Sequence, residues 1–364
     1  MTTAHDLNKL GQSIWLDYIR RQFIEDGGLQ GVIDNGVRGV TSNPAIFKKA
    51  IADSDDYDAQ MQELIDAGKS VDEIYEALAV TDIQNAADIL RPVYDESNTI
   101  DGYVSLEVRP ELANDEAGTV TEARHLWGRV DRPNLMIKVP ATQEGLGAIT
   151  TLIGEGINVN VTLMFSLQQY IDVANAYIAG LEKLAESRND LSGVASVASF
   201  FVSRMDVMVD KQLDELGKPE LQSKAGVANA QVAYAKFVEM FSGERWDALA
   251  AKGAQVQRPL WASTSTKDPN LPDTLYVDNL IAEHTVNTVP PNTLDALNDH
   301  GKAEIAATGD ASDAQKILDD LAAAGIDYDA VTAALLQEGI DKFIAPFKDL
   351  IASIEEKRDR IAAQ

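Results

Sequence analysis

A closed (β/α)8 barrel, the TIM-barrel class of α/β folds, is what this sequence predicts, on three observations. Short apolar runs recur along the chain, each is followed by a segment of helical periodicity, and the alternation repeats about eight times. That is the pattern of a parallel sheet closed on itself. An open doubly wound sheet is the alternative, but no G-x-G-x-x-G follows the first run.

The first run is SIWLDY (13–18), with RGVTSN (38–43) and GYVSLEV (102–108) after it. LMIKVP (135–140) and INVNVTLMF (157–165) come next, then VASVASFFVS (194–203), RPLWAST (258–264) and HTVNTVP (284–290). Between them, stretches such as 70–90, 166–186 and 205–217 carry apolar residues at spacings of three and four, the stripe of an amphipathic helix. Two stretches exceed the repeat. Residues from about 222 to 254 insert extra helix between the sixth and seventh strands, and a tail from about 310 to 364 carries two helices after the last strand. Both are expected to pack around the barrel or to make a subunit contact. All 364 residues are read as a single domain, since barrels commonly exceed about 250 residues once insertions are included.

Composition narrows the function. Thirty-one Lys and Arg against 58 Asp and Glu give a formal charge of −27, which works against binding nucleic acid. Any small anionic substrate must therefore be met by a local cluster of cations. With no cysteine, disulfides, thiolate nucleophiles and Cys-ligated metal are excluded. The start of the chain lacks a basic flank leading into an apolar core, and no apolar run reaches the roughly 18 residues of a membrane span. A cytoplasmic protein, monomer or homodimer, is the expectation.

In such a barrel, chemistry collects at the C-terminal ends of the strands, so polar residues late in apolar runs are the informative ones. Asp17, Asn43, Glu107, Lys138, Asn160, Thr162, Ser199 and Ser263 are placed in this way. Lys138 stands between Ile137 and Val139, where its ammonium loses hydration. A neutral amine attacks carbonyls and forms a Schiff base. A lysine whose head reaches solvent is the plainer reading. Asp17 and Glu107 offer two carboxylates for acid/base work, or alternatively halves of buried ion pairs. His5, His125, His284 and His300 are scattered, so the convergent ligands of a metal site are not expected.

The runs TSNPAIF (41–47), IKVPAT (137–142) and GINVNVTLMFS (156–166) resemble, in this order, the signature segments of transaldolases. VSLEV, LWASTSTKDP and TVNTVP also look like that family, so the resemblance spans residues 13–291; the insertion and tail resemble its longer bacterial branch. The resemblance implies transfer of dihydroxyacetone from sedoheptulose 7-phosphate or fructose 6-phosphate to glyceraldehyde 3-phosphate or erythrose 4-phosphate, without cofactor or metal. It makes Lys138 the Schiff-base lysine, Asp17 the acid/base, and Glu107 with Thr162 the holders of a catalytic water. Asn43 and Asn160 match residues that bind donor hydroxyls. Ser199 and Phe201 match the lining of the site, and Arg204 a phosphate-binding arginine. Ser263 carries over as well, but Ser265 stands where that family has a second phosphate-binding arginine, and Lys267 is expected to replace its charge. The rival readings are an aldolase that releases free dihydroxyacetone, against which Phe201 stands where such enzymes have tyrosine, and a non-catalytic sugar-phosphate-binding barrel.

Overall fold

The structure is a computed structural model that describes residues 2–362. Helix α1 (Thr3–Lys9) lies ahead of strand β1 (Gln12–Leu16), and the short α2 (Arg21–Glu25) and α3 (Gly28–Asp34) lead to β2 (Val37–Val40). Helices α4 (Pro44–Ala52), α5 (Asp58–Asp66) and α6 (Val71–Glu96) then precede β3 (Val104–Glu107). α7 (Glu116–Val130) leads to β4 (Leu135–Pro140), α8 (Gln143–Gly154) to β5 (Val159–Met164), and α9 (Leu167–Ala185) to β6 (Ser196–Phe201). Three helices, α10 (Ser203–Leu216), α11 (Ala225–Met240) and α12 (Glu244–Ala250), stand between β6 and β7 (Arg258–Ala262). α13 (Leu275–Asp278) precedes β8 (Thr285–Val289), which α14 (Pro291–His300), α15 (Ser312–Ala323) and α16 (Tyr328–Ala362) follow.

The strands pair in sequence order, and β8 returns to β1 to close the barrel. Every pairing is parallel. Because helices cover the outside and side chains fill the inside, both faces of such a strand are buried. That is why the strands read as nearly unbroken apolar runs rather than as alternating ones. Residues two apart still share a face, so Trp15, Met136, Val197, Leu260 and Val286 form one inward cluster. Gly39 makes room for that filling, since a Cβ there would meet the Trp15 ring at 2.6 Å.

Most strands are shorter than the apolar runs that predict them, and the end of β2 is the difference that bears on the site. β2 ends at Val40, and residues 41–43 form the turn into α4, where Asn43 is the N-cap and its side chain accepts from the Ile46 N–H at 3.0 Å. Asn-Pro explains the change: the asparagine is a strong N-cap and proline is at ease in the first helical turn. The tail beyond residue 310 carries the two helices expected of it, α15 and α16, and α14 separates them from β8.

α16 crosses the C-terminal mouth of the barrel, touching α4, α5, α6, α10 and β5. Its far end is anchored by Lys357, which is 5% exposed and donates to the Ser54 carbonyl of the turn after α4 while pairing with Asp58. A lysine at the carbonyl end of a helix completes hydrogen bonds that the helix itself leaves open. At the near end the Tyr328 hydroxyl accepts from the Leu167 N–H at 3.0 Å and donates to Asn229 Oδ1 at 2.8 Å, tying the tail to α9 and α11. Among the described residues no helix is long and apolar enough to cross a membrane.

Candidate active site

Register places the reactive groups. Glu107 is the Cα partner of Lys138 on β4, and Lys138 that of Asn160 on β5, so three polar side chains from neighbouring strands enter the barrel at one level. Thr162, two residues beyond Asn160, faces the same side one step nearer the mouth. Lys138 is 5% exposed; its Nζ donates to the Ser42 carbonyl at 2.9 Å and stands 3.5 Å from Glu107 Oε2. Asp17 follows the last residue of β1, and its Oδ1 accepts from the Thr41 hydroxyl at 2.7 Å.

A cavity of about 240 Å³ opens beside these groups at the C-terminal mouth. Asp17, Asn43, Lys138, Thr162, Ser199, Phe201, Arg204, Ser263 and Lys267 all line it. Two residues singled out in the sequence do not. Glu107 lies behind Lys138, 9% exposed, and Asn160 is fully buried below the wall. Both ends of the Asn160 amide are engaged: Oδ1 accepts from the Ser199 hydroxyl at 2.7 Å and Nδ2 donates to Ser105 Oγ at 3.0 Å. Asn43 spends its oxygen on capping α4, which leaves its amide nitrogen for the cavity.

Burial dominates the electrostatics. It pushes the Glu107 carboxyl up to about 7, against the pull of the Lys138 charge. Asp17 is also raised by burial, with the Thr41 hydrogen bond and the Lys138 charge opposing. A carboxyl raised toward neutrality is suited to pass a proton in either direction. The Thr162 hydroxyl is buried with no hydrogen-bond partner among the described residues.

The other side of the cavity is cationic. Arg204 lies with its Cζ 5.1 Å above the Phe201 ring, and its Nη1 is buried without a hydrogen-bond partner among the described residues. Burial lowers Lys267 from the usual lysine value, and the neighbouring Arg204 charge lowers it further. Two cations brought close together in so acidic a chain call for an anion between them. Ser263 lies between these groups with φ of +56°, a left-handed turn that redirects the chain out of β7; its hydroxyl meets that of Ser203 at 2.8 Å.

Sequence reasoning missed several lining residues. Thr41 and Thr288 line the cavity and their hydroxyls meet at 2.6 Å; both are inward hydroxyls at strand ends, so the criterion applied to Thr162 would have found them. Phe343 of α16 also lines it, its ring 5.7 Å from Lys138 Nζ. No local signal marks it, because it is one apolar residue of an amphipathic helix.

Comparison with known proteins identifies chains similar to this one. Residues 14–354 match the profile of the family described as Transaldolase/Fructose-6-phosphate aldolase. The chain is 50% identical over 366 aligned positions to the transaldolase of Saccharopolyspora erythraea, an alignment covering 99% of this chain and 100% of that protein. It is 51% identical over 359 positions to the transaldolase of Acidothermus cellulolyticus, covering 98% and 96%. The transaldolase of Trichodesmium erythraeum is 48% identical over 373 positions, with 98% of each chain covered.

Proposed function

Because the chain belongs to the transaldolase/fructose-6-phosphate aldolase family, we propose that it acts as a transaldolase, moving a dihydroxyacetone unit between sugar phosphates through a Schiff base on Lys138. The observation that carries the mechanism is a buried amine at the cavity wall with Glu107 at 3.5 Å behind it and Asp17 lining the same space.

The Lys138 amine attacks the C2 carbonyl of sedoheptulose 7-phosphate or fructose 6-phosphate to give a carbinolamine. Loss of water leaves an iminium, with Glu107 and the Thr162 hydroxyl holding the water that leaves and later returns. Asp17 then takes the proton of the C4 hydroxyl. As the C3–C4 bond breaks, its electron pair moves to the iminium nitrogen, the aldose departs, and an enamine remains on Lys138. In the reverse sense the enamine carbon attacks the aldehyde of glyceraldehyde 3-phosphate or erythrose 4-phosphate, and Asp17 returns the proton. Ser199, held by Asn160, and the Asn43 amide bind donor hydroxyls, with Ser263 beside them. The lysine is itself the electron sink, so the sequence of steps uses no cofactor.

Arg204 and Lys267 hold the phosphate, Arg204 through its fork of donors and Lys267 as a point charge. Phe201 supports transfer over release: a phenyl ring, backed by Phe165 at 5.2 Å between centroids, offers no hydroxyl to bring water to the enamine. The reaction belongs to the non-oxidative pentose phosphate pathway. A cytoplasmic monomer or homodimer suits it, since anionic sugar phosphates do not cross membranes unaided.

Borohydride reduction in the presence of fructose 6-phosphate tests the mechanism. A dihydroxyacetone-sized mass on Lys138 is expected, and label on another lysine overturns it.

A further inference from the structure

We propose that Asp206 and Tyr276 form a strut that holds the loop between β7 and α13 against α10 and so sets the spacing of Arg204 and Lys267. This makes both of them positioning residues for phosphorylated sugars, and the proposal rests on the phosphate reading given above. Asp206 lies on α10, two residues after Arg204, and is 2% exposed. Both of its oxygens are taken. Oδ1 accepts from the Gly226 N–H at 2.7 Å, and Oδ2 from the Tyr276 hydroxyl at 2.8 Å. The first bond caps α11, whose own N-cap, Lys224, supplies no side-chain cap. It depends on glycine: a Cβ at Gly226 would come within 2.7 Å of the Val202 carbonyl oxygen and 3.1 Å of Asp206 Oδ2. The second bond reaches α13, the short helix that ends the loop carrying Lys267.

Lys267 needs such a support. Its hydrogen bond is to Ser265 of the same loop, at 2.7 Å, and the neighbouring Arg204 charge repels it. The start of the loop is fixed, because the Ser203 N–H donates to the Ser263 carbonyl at 3.0 Å and Thr264 donates to Asn287 Oδ1 at 2.8 Å. Toward its far end, Tyr276 is buried and its hydroxyl is bound to α10, the helix that carries Arg204. Both attachments therefore refer Lys267 to Arg204, against a repulsion that would otherwise swing the loop outward.

The test is Tyr276→Phe in the full chain, which removes one hydroxyl and keeps the ring. The KM for fructose 6-phosphate is expected to rise on the order of tenfold, with kcat within about twofold and the KM for unphosphorylated fructose unchanged. In a Lys267→Ala background the same substitution should add nothing. Asp206→Asn is the second variant and should show the same split between the two donors. Equal rises for both donors, in step with a lowered Tm, would make the pair merely structural and overturn the proposal; so would an undiminished rise in the Lys267→Ala background. If Arg204→Ala and Lys267→Ala both leave the preference for phosphate unchanged, the phosphate reading itself fails, whatever Tyr276→Phe does.

Discussion

At the N-terminal mouth, Arg258 donates to Asp101 and to Ser13 Oγ at 2.9 Å each, whereas at the C-terminal mouth Arg204 keeps a buried Nη1 with no partner among the described residues. The carboxylates differ in the same way. Asp101 also accepts from Ser13 at 2.7 Å and from the Trp15 Nε1–H at 3.1 Å, so both of its oxygens are engaged. Among the described side chains Asp17 accepts from Thr41 alone, and Glu107 faces Lys138 at 3.5 Å. A charge closed among protein partners belongs to the scaffold, and one with unused donors or acceptors beside a cavity is available to a substrate. Arg21, whose Nε donates to Asp82 at 2.8 Å while Asp82 also accepts from Tyr57 at 2.8 Å, follows the N-terminal pattern.

The largest expected effect is at Asp17. Asp17→Asn should lose turnover by roughly two to four orders of magnitude while still forming the iminium, the scale usual for a general acid/base. A near-normal kcat would put Asp17 with the scaffold carboxylates. The two arginines should then separate cleanly. Arg258→Ala leaves Asp101 charged and buried, and is expected to cost about 3–5 kcal/mol of stability in denaturant unfolding with little change in KM. Arg204→Ala should do the reverse, raising the KM for phosphorylated donors with little change in unfolding midpoint; matching profiles for the two variants would break the distinction.

A smaller effect concerns pH. Burial raises the folded-state Glu107 carboxyl from 4.5 to about 7, so the folded protein binds more protons than the unfolded chain in that window. Its contribution to stability is complete below the unfolded value and is lost as pH rises through about 7. Glu107→Gln lacks that loss. Its Tm relative to the parent protein should therefore be higher at pH 8 than at pH 5, by a few degrees. A difference that does not vary with pH would show that Glu107 titrates as an ordinary surface carboxyl.

Much of the barrel was legible because a doubly buried strand tolerates few polar residues, and those it keeps have reasons to be there. Lys138 and Thr162 broke apolar runs and line the cavity, as do Ser199 and Ser263. Depth was not legible. Period two tells which face Glu107 and Asn160 share with Lys138, yet not that they stop behind the wall, since this depends on the lengths of side chains from three strands. Contacts between distant segments left no trace either. Nothing near Phe343 reports that α16 will cross the mouth, and nothing near Tyr276 reports Asp206, because neither partner is related to the other by a helical or strand period.

The order of the chain gives α16 a further consequence. Lys357 and Phe343 follow all eight strands, so during synthesis the sheet can close before the last wall of the cavity is in place. The roof over Lys138 is thus the part of the site that comes last in sequence, and its anchor seats on the turn after α4, a segment some 300 residues earlier in the chain.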